Sequence, residues 1–191
     1  MNRKAFYYIQ PGQGQQGKPQ IPFFPLHNNP SKPTPQGDPI PPRAQPSVVV
    51  LDTNVALDGL VFDNPAMRPV MQQLRTGALR WLATPGMRQE FAYVLQRSVL
   101  AKYVRNGEHT LRQYDALTQM CAEISTPPAA KLRCRDQDDQ RYIDLALNNC
   151  VRWLVSRDRD LLCLAGRAAR LQLTIVTPEV LSAHLAEEME T

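Results

Sequence analysis

The chain has 191 residues, with 22 Lys and Arg against 18 Asp and Glu and a formal net charge of +4. That length suits one globular domain with room for an extension. The longest aliphatic run, Val48–Leu51, falls far short of the roughly 18 apolar residues a membrane span needs, and no apolar secretory stretch stands near the N-terminus, so the expectation is a soluble, cytoplasmic protein with no membrane partner.

Residues 1–46 hold Arg3, Lys4, Lys18, Lys32 and Arg43 against Asp38 alone, together with 11 of the 17 prolines. The other 145 residues carry 17 basic and 17 acidic groups. The positive surplus therefore belongs to the extension and is no electrostatic footprint of the body. Proline fixes φ and removes donors, and stretches such as GQGQQGKPQ have no hydrophobic period, so residues 1–46 are expected to be a disordered, basic, polyproline-II-like tail. Two apolar knots, Phe6-Tyr7-Tyr8-Ile9 and Ile21-Pro22-Phe23-Phe24, fit either a docking or weak RNA-contacting arm or a plain unstructured extension.

From residue 47 to 191 the texture is that of a folded domain. Ser47–Leu51 is a continuous apolar run, as in a strand buried on both faces. Helices are predicted over 54–60 and 65–76, and a second strand over 79–83. Helices at 85–100 and 107–122 follow, then a short strand at 123–125 stopped by Pro127-Pro128. A helix at 138–149, a strand at 152–156, a helix at 158–168, a strand at 173–176 and a helix at 178–188 complete the chain. Alternating strands and helices imply right-handed crossovers and a mostly parallel sheet covered on both sides. Ligands of such sheets bind beyond the carboxyl ends of the strands.

Several chemistries are excluded by what the sequence lacks. It contains no GxxxxGK[ST], GxGxxG or GxSxG, which leaves the usual nucleotide modes and the serine-hydrolase elbow unsupported. His27, His109 and His184 are isolated, so a zinc site or a histidine-based triad is not expected. Cys121, Cys134, Cys150 and Cys163 contain no CxxC and read as small core hydrophobes of a reduced protein.

Carboxylates remain. Asp52 follows the apolar run directly, and Asp158 follows the strand RWLVS, each at a carboxyl end. Glu90 shares a helical stripe with Met87 and Val94. Asp139 shares one with Ile143, Ala146 and Leu147, whereas Asp144 points elsewhere and should be solvated. Each has a structural alternative: Asp158 or Asp138 as helix caps, Asp52 as a turn former, Glu90 as an arginine partner. Carboxylates on buried faces must be paired or bind metal. A carboxylate-only set favours a hard cation, Mg²⁺ or Mn²⁺, and hydrolytic phosphoryl chemistry.

The ordered segments VVVLDTNV, RQEFAYVL, CRDQDDQRYIDLAL, WLVSRDRDLL and TPEVL resemble the PIN-domain family, in particular its bacterial toxins of toxin–antitoxin pairs. The resemblance covers about residues 47–185. It implies an α/β protein, a three-layer α/β/α with a central parallel sheet of four or five strands. It further implies a Mg²⁺- or Mn²⁺-dependent endoribonuclease with Asp52, Glu90, Asp139 and Asp158 as catalytic and metal-holding acids. Asn54, Ser156 and Asp160 match supporting polar positions, and Asp136 and Asp138 match extra acids of that branch. RNA would be hydrolysed in line to leave a 5′-phosphate and a 3′-hydroxyl. Arg133, Arg135, Arg157 and Arg159 are the candidates for holding the RNA backbone, with solvated ion pairing as the alternative. A toxin would be partnered by a cognate antitoxin, and homodimers are frequent in the family. Haloacid-dehalogenase-type phosphatases share the aspartate after the first strand but need a second Asp where this chain has Asn54. A non-catalytic RNA-binding or scaffolding protein on the same fold is the alternative from another class.

Overall fold

A computed structural model describes residues 47–125 and 132–189. The expected tail and the Pro127-Pro128 stop lie outside the described residues. Five strands, β1 (Ser47–Leu51), β2 (Leu79–Ala83), β3 (Thr118–Met120), β4 (Trp153–Val155) and β5 (Thr174–Val176), form one sheet in the order β3-β2-β1-β4-β5. All four pairings are parallel, with Leu51 opposite Val155 and Trp81 opposite Thr118. Val49, Val50, Leu154 and Val155 have no exposed surface, because helices cover both faces of the central strands.

The helices are α1 (Thr53–Leu60), α2 (Arg68–Thr76), α3 (Pro85–Leu95), α4 (Gly107–Leu117), α5 (Gln140–Asn148), α6 (Arg159–Leu162), α7 (Ala165–Ala169) and α8 (Pro178–Met189). Helix α2 packs on β2 and α8, α5 packs on β1 and β4, and α1, α3 and α4 pack on one another. The result is a three-layer α/β/α with an all-parallel five-stranded sheet. No helix among the described residues is long and apolar enough to cross a membrane.

Helix boundaries follow local chemistry. Asp52, Thr84 and Asn106 cap α1, α3 and α4 by accepting backbone N–H bonds from Val55, Met87 and His109. Helix α2 ends on Gly77 at φ +74°, a left-handed position. Several predicted helices are broken where the hydrogen-bond pattern tightens. Residues 65–67 form a 3₁₀ turn before α2, another spans Ser98–Leu100 after α3, and the 158–168 stretch splits into α6 and α7.

The third strand lies at Thr118–Met120 and not at 123–125. Leu117, Met120 and Cys121 mimic a helical period, but α4 stops at Leu117, where the Thr118 hydroxyl donates to the Tyr114 carbonyl at 2.9 Å. Glu123 instead reaches the N-terminus of α3, accepting from Gly86 N–H at 2.5 Å. The cysteines also depart from expectation. Cys121 and Cys134 are half-buried, whereas Cys150 and Cys163 are exposed.

Candidate active site

Strand order places the functional edge. The chain runs outward from β1 through β2 to β3, then returns to the other side of β1 with β4 and β5. The crevice beyond the carboxyl ends of β1 and β4 is therefore the topological switch point. Asp52 leaves β1 and Ser156 leaves β4 side by side, with Asp52 N–H donating to the Val155 carbonyl at 3.1 Å.

Asp52 is buried, and its two oxygens have separate partners. Oδ1 accepts from Val55 N–H at 2.7 Å, which caps α1. Oδ2 accepts a short hydrogen bond from the Ser156 hydroxyl. Burial pushes the Asp52 carboxyl above the ordinary aspartate range, opposed first by Ser156 and then by backbone N–H groups. Ser156 is itself fully buried, and its Oγ accepts from Asp158 N–H at 2.9 Å. One hydroxyl thus ties the acid after β1 to the acid after β4. Asp158 caps α6 by accepting from Asp160 N–H at 2.6 Å. The capping and site readings are compatible, since each aspartate has a second lone-pair direction.

Glu90 and Asp139 come from helices. Glu90 is half-buried beside the Met87–Phe91–Leu95 stripe of α3 and not within it. Its Oε2 accepts from the Tyr142 hydroxyl at 2.9 Å and from the Arg141 guanidinium at 2.9 Å. Tyr142 Oη also lies 2.9 Å from Thr53 Oγ1 and accepts from Thr53 N–H at 3.3 Å. Asp139 precedes the first turn of α5 and makes no side-chain capping bond. It is half-buried at the helix entrance, whereas the α5 stripe is formed by Tyr142, Ile143, Leu145 and Ala146. Its carboxyl is pushed up to about 6, by burial first and then by the charges of Asp158, Asp136, Asp52 and Glu90. The charges that raise Asp139 include those of the other three principal acids.

Of the supporting residues, Ser156 is built into the site and Asp160 supplies the N–H that Asp158 accepts. Asn54 is exposed on the first turn of α1. Asp136 is exposed and caps a local turn through Asp138 N–H at 2.8 Å, so Asp138 is not the cap of α5. Asp144 is half-buried and accepts from the Gln140 amide at 2.8 Å, unlike the solvated position expected for it. Among the arginines, Arg157 is held by Asp58 at 2.7 Å and Glu179 at 2.6 Å. Arg133, Arg135 and Arg159 are exposed and make no ion pair among the described residues. Arg133 lines a cavity of about 510 Å³ with Cys134, Gln137 and Gln140, on the segment leading to Asp139.

Thr53, Arg141 and Tyr142 join the site although no sequence motif singles them out. Their signal is adjacency, since Thr53 follows Asp52 and the other two lie within three positions of Asp139. Arg141 also keeps its Nε buried without a hydrogen-bond partner.

Among the described residues no three His, Cys, Asp or Glu side chains stand together as a ready-made metal cage. The donor set nonetheless suits a hard divalent cation: it is all oxygen, and like charges crowd around Asp139. Mg²⁺ in particular is commonly held by one or two carboxylates, several waters and substrate phosphate, without an all-protein cage.

Comparison with known proteins agrees with this architecture. Residues 48–160 match the family described as PIN domain, a span that contains Asp52, Glu90, Asp139 and Asp158. The chain is also similar to an uncharacterized protein of Methanocaldococcus jannaschii, 24% identical over 125 residues that cover 65% of this chain and 79% of that one.

Proposed function

The chain belongs to the PIN-domain family, and on that premise we propose that it is a divalent-metal-dependent endoribonuclease. PIN domains are generally nucleases, so the coarse assignment is a hydrolase of phosphodiester bonds. The finer reading is supported by one observation above the rest. The Ser156 hydroxyl joins Asp52 to the Asp158 backbone at the switch point, while Tyr142 joins Glu90 to the residue after Asp52. These bonds hold Asp52, Asp158 and Glu90 at the same mouth of the sheet, which supports a role for them beyond capping.

Asp52, Glu90, Asp139 and Asp158 would hold Mg²⁺ or Mn²⁺, some through water. The ion would supply charge neutralisation on the scissile phosphate and acidify an attacking water. Ser156 and Val55 N–H fix the Asp52 carboxylate, and Tyr142 and Arg141 fix that of Glu90. Water adds to phosphorus as the bond to the 3′ oxygen breaks, leaving a 5′-phosphate and a 3′-hydroxyl. Arg133, Arg135 and Arg159, which are exposed, would hold the RNA backbone, while Arg157 is engaged with Asp58 and Glu179.

The decisive experiment is cleavage of structured and unstructured RNA by the purified protein, with and without Mg²⁺ or Mn²⁺, followed by end mapping. Cleavage that requires the metal and is lost in Asp52→Asn and Asp139→Asn supports the reading. Undiminished cleavage by both variants, or activity in EDTA, overturns it. RNA binding without turnover would favour the scaffolding alternative. The most specific part of the proposal is that the protein is the toxin of a toxin–antitoxin pair. Growth arrest on expression that Asp52→Asn abolishes, relieved by a small co-expressed partner, tests that part separately.

A further inference from the structure

A second feature lies at the far end of α1. Phe62, just beyond the helix, and Tyr103, between α3 and α4, are 40% and 49% exposed, yet they meet edge to face with centroids 5.2 Å apart. Lys102 Nζ stands 4.7 Å from the Tyr103 ring centroid. Beside them opens a cavity of about 450 Å³ whose lining includes Lys102, Tyr103, Arg105, Asn106 and His109 and no acidic residue.

The neighbouring acids are already committed. Asp63 pairs with Arg68 at 2.9 Å, and Glu108 pairs with Arg112 at 2.6 Å. Lys102, Arg105 and His109 make no ion pair among the described residues and are exposed. The patch therefore presents uncompensated positive charge next to two half-exposed aromatic rings. That combination suits single-stranded nucleic acid, whose bases stack on rings while its phosphates meet cations. A purely apolar protein partner would leave those cations desolvated and unpaired.

Helix α1 links this patch to the acids. It begins on Asp52, and its last residue, Leu60, lines the cavity. Eight residues at 1.5 Å each span about 12 Å. That distance corresponds to three or four nucleotides at about 3.4 Å per stacked nucleotide.

We propose that the Phe62–Tyr103 pair with Lys102 and Arg105 is a stacking subsite for an unpaired base of the RNA, a few nucleotides from the scissile bond. This rests on the ribonuclease reading above and deepens it by naming where on the surface one base of the substrate would be held. Phe62 or Tyr103 would carry the base, and Lys102 and Arg105 the flanking phosphates.

The test is binding of an unstructured 12-nucleotide RNA, followed by fluorescence anisotropy in the Asp52→Asn background, with a duplex of the same sequence for comparison. Adding Tyr103→Ala should weaken binding of the single strand about 5- to 150-fold, the range of one lost base stack. Tyr103→Phe should retain it. Lys102→Ala with Arg105→Ala should flatten the salt dependence by about 0.7 in log–log slope for each phosphate left without its cation. Thermal melts confirm that each variant is folded, and sedimentation reports its oligomeric state. Wild-type affinity in folded Tyr103→Ala and Phe62→Ala variants overturns the proposal, as does a change of oligomeric state with RNA binding unaltered. If the parent chain neither binds nor cleaves RNA, the ribonuclease reading falls and the subsite with it. A parent that cleaves while the patch variants match it refutes the subsite alone.

Discussion

Tyr142 donates its hydroxyl to Glu90 Oε2 at 2.9 Å while standing 2.9 Å from the Thr53 hydroxyl. The phenol comes from α5, the carboxylate from α3 and the threonine from the first turn of α1, so one buried oxygen fastens three helices at the mouth of the sheet. Burial is the main reason the Tyr142 hydroxyl is pushed well above its ordinary range, and it stays a donor at every working pH. Tyr142→Phe keeps the ring but removes that link. Expected is a loss of about 1 kcal/mol in stability, roughly 2–4 °C in Tm for a chain of this size. RNA cleavage should fall further than stability does, because Glu90 is then located by Arg141 alone. Calorimetry and cleavage assays on the same preparation check both halves, and unchanged cleavage would remove Tyr142 from the site.

Asp52 does two jobs that substitution can separate. As the cap of α1 it accepts from Val55 N–H, and Asn performs that function about as well as Asp. Asp52→Asn should therefore leave denaturant stability close to that of the parent while abolishing metal-dependent cleavage. Asp52→Ala should lose cleavage and also about 1–3 kcal/mol of stability, from the missing cap and from the buried Ser156 hydroxyl left without its acceptor. Equal stability of the two variants would show that the capping bond contributes little.

Ser156→Ala tests the bridge between the strand ends. The hydroxyl donates to Asp52 and accepts from Asp158 N–H, both in the buried mouth of the sheet. Removing it leaves a buried carboxylate oxygen and an amide without that partner, a cost of about 1–3 kcal/mol. Urea melts should show the midpoint falling with an unchanged slope. Cysteine at this position, with a weaker donor, should recover only part of the loss.

The sheet was legible because its inner strands are nearly pure apolar runs. SVVVL and LRWLA read as strands from composition alone, and both match their observed bounds. The edge strand β3 was not legible, since TQM is polar and half-exposed and its place is set by pairing with β2. Asp52 and Asp158 read as following apolar runs, and both stand beyond the carboxyl ends of strands. Glu90 and Asp139 read from helical spacing, and both lie off the stripes that spacing assigned them. The attachments of these acids were not legible. Tyr142 and Thr53 are 89 positions apart, and Glu90 and Tyr142 are 52 apart. No local pattern encodes a contact made only when α1, α3 and α5 converge. Spacing also misplaced Asp139 on a stripe, because the last residue before a helix continues the helical count without entering the helix.

Gly77 offers a measurement independent of the site. It ends α2 at φ +74°, and apart from its two chain neighbours no residue comes within 4 Å of where a Cβ would stand. Gly77→Ala therefore creates no clash, and its cost is backbone strain alone, about 1 kcal/mol. Cleavage per folded molecule should be unchanged. A neutral outcome in thermal melts would show that the turn relaxes out of the left-handed region.

Asp139 predicts an unusual dependence of stability on pH. Its native carboxyl is raised to about 6 by burial and by Asp158, Asp136, Asp52 and Glu90, against about 3.9 for an unfolded aspartate. The native state therefore binds this proton more tightly than the unfolded state does. The penalty for ionising it is fully present above pH 6 and is relieved as pH falls from 6 towards 4, so the metal-free protein should gain stability on mild acidification. Asp115, lowered by its hydrogen bond to Arg88, works oppositely, but its contribution is lost only below the ordinary aspartate range. Thermal melts in EDTA at pH 5.5 and 7.5 should show the higher Tm at pH 5.5. The difference should shrink in Asp139→Asn, which isolates this carboxyl from the other titrating groups. Mg²⁺ or Mn²⁺ should act in the reverse sense, raising Tm most at pH 7.5 and least at pH 5.5, because proton and cation compete for the same oxygens. A metal-free Tm with the same pH dependence in the parent and in Asp139→Asn would mean that the acids do not repel one another at the mouth of the sheet. The reason for expecting a cation there would then be lost.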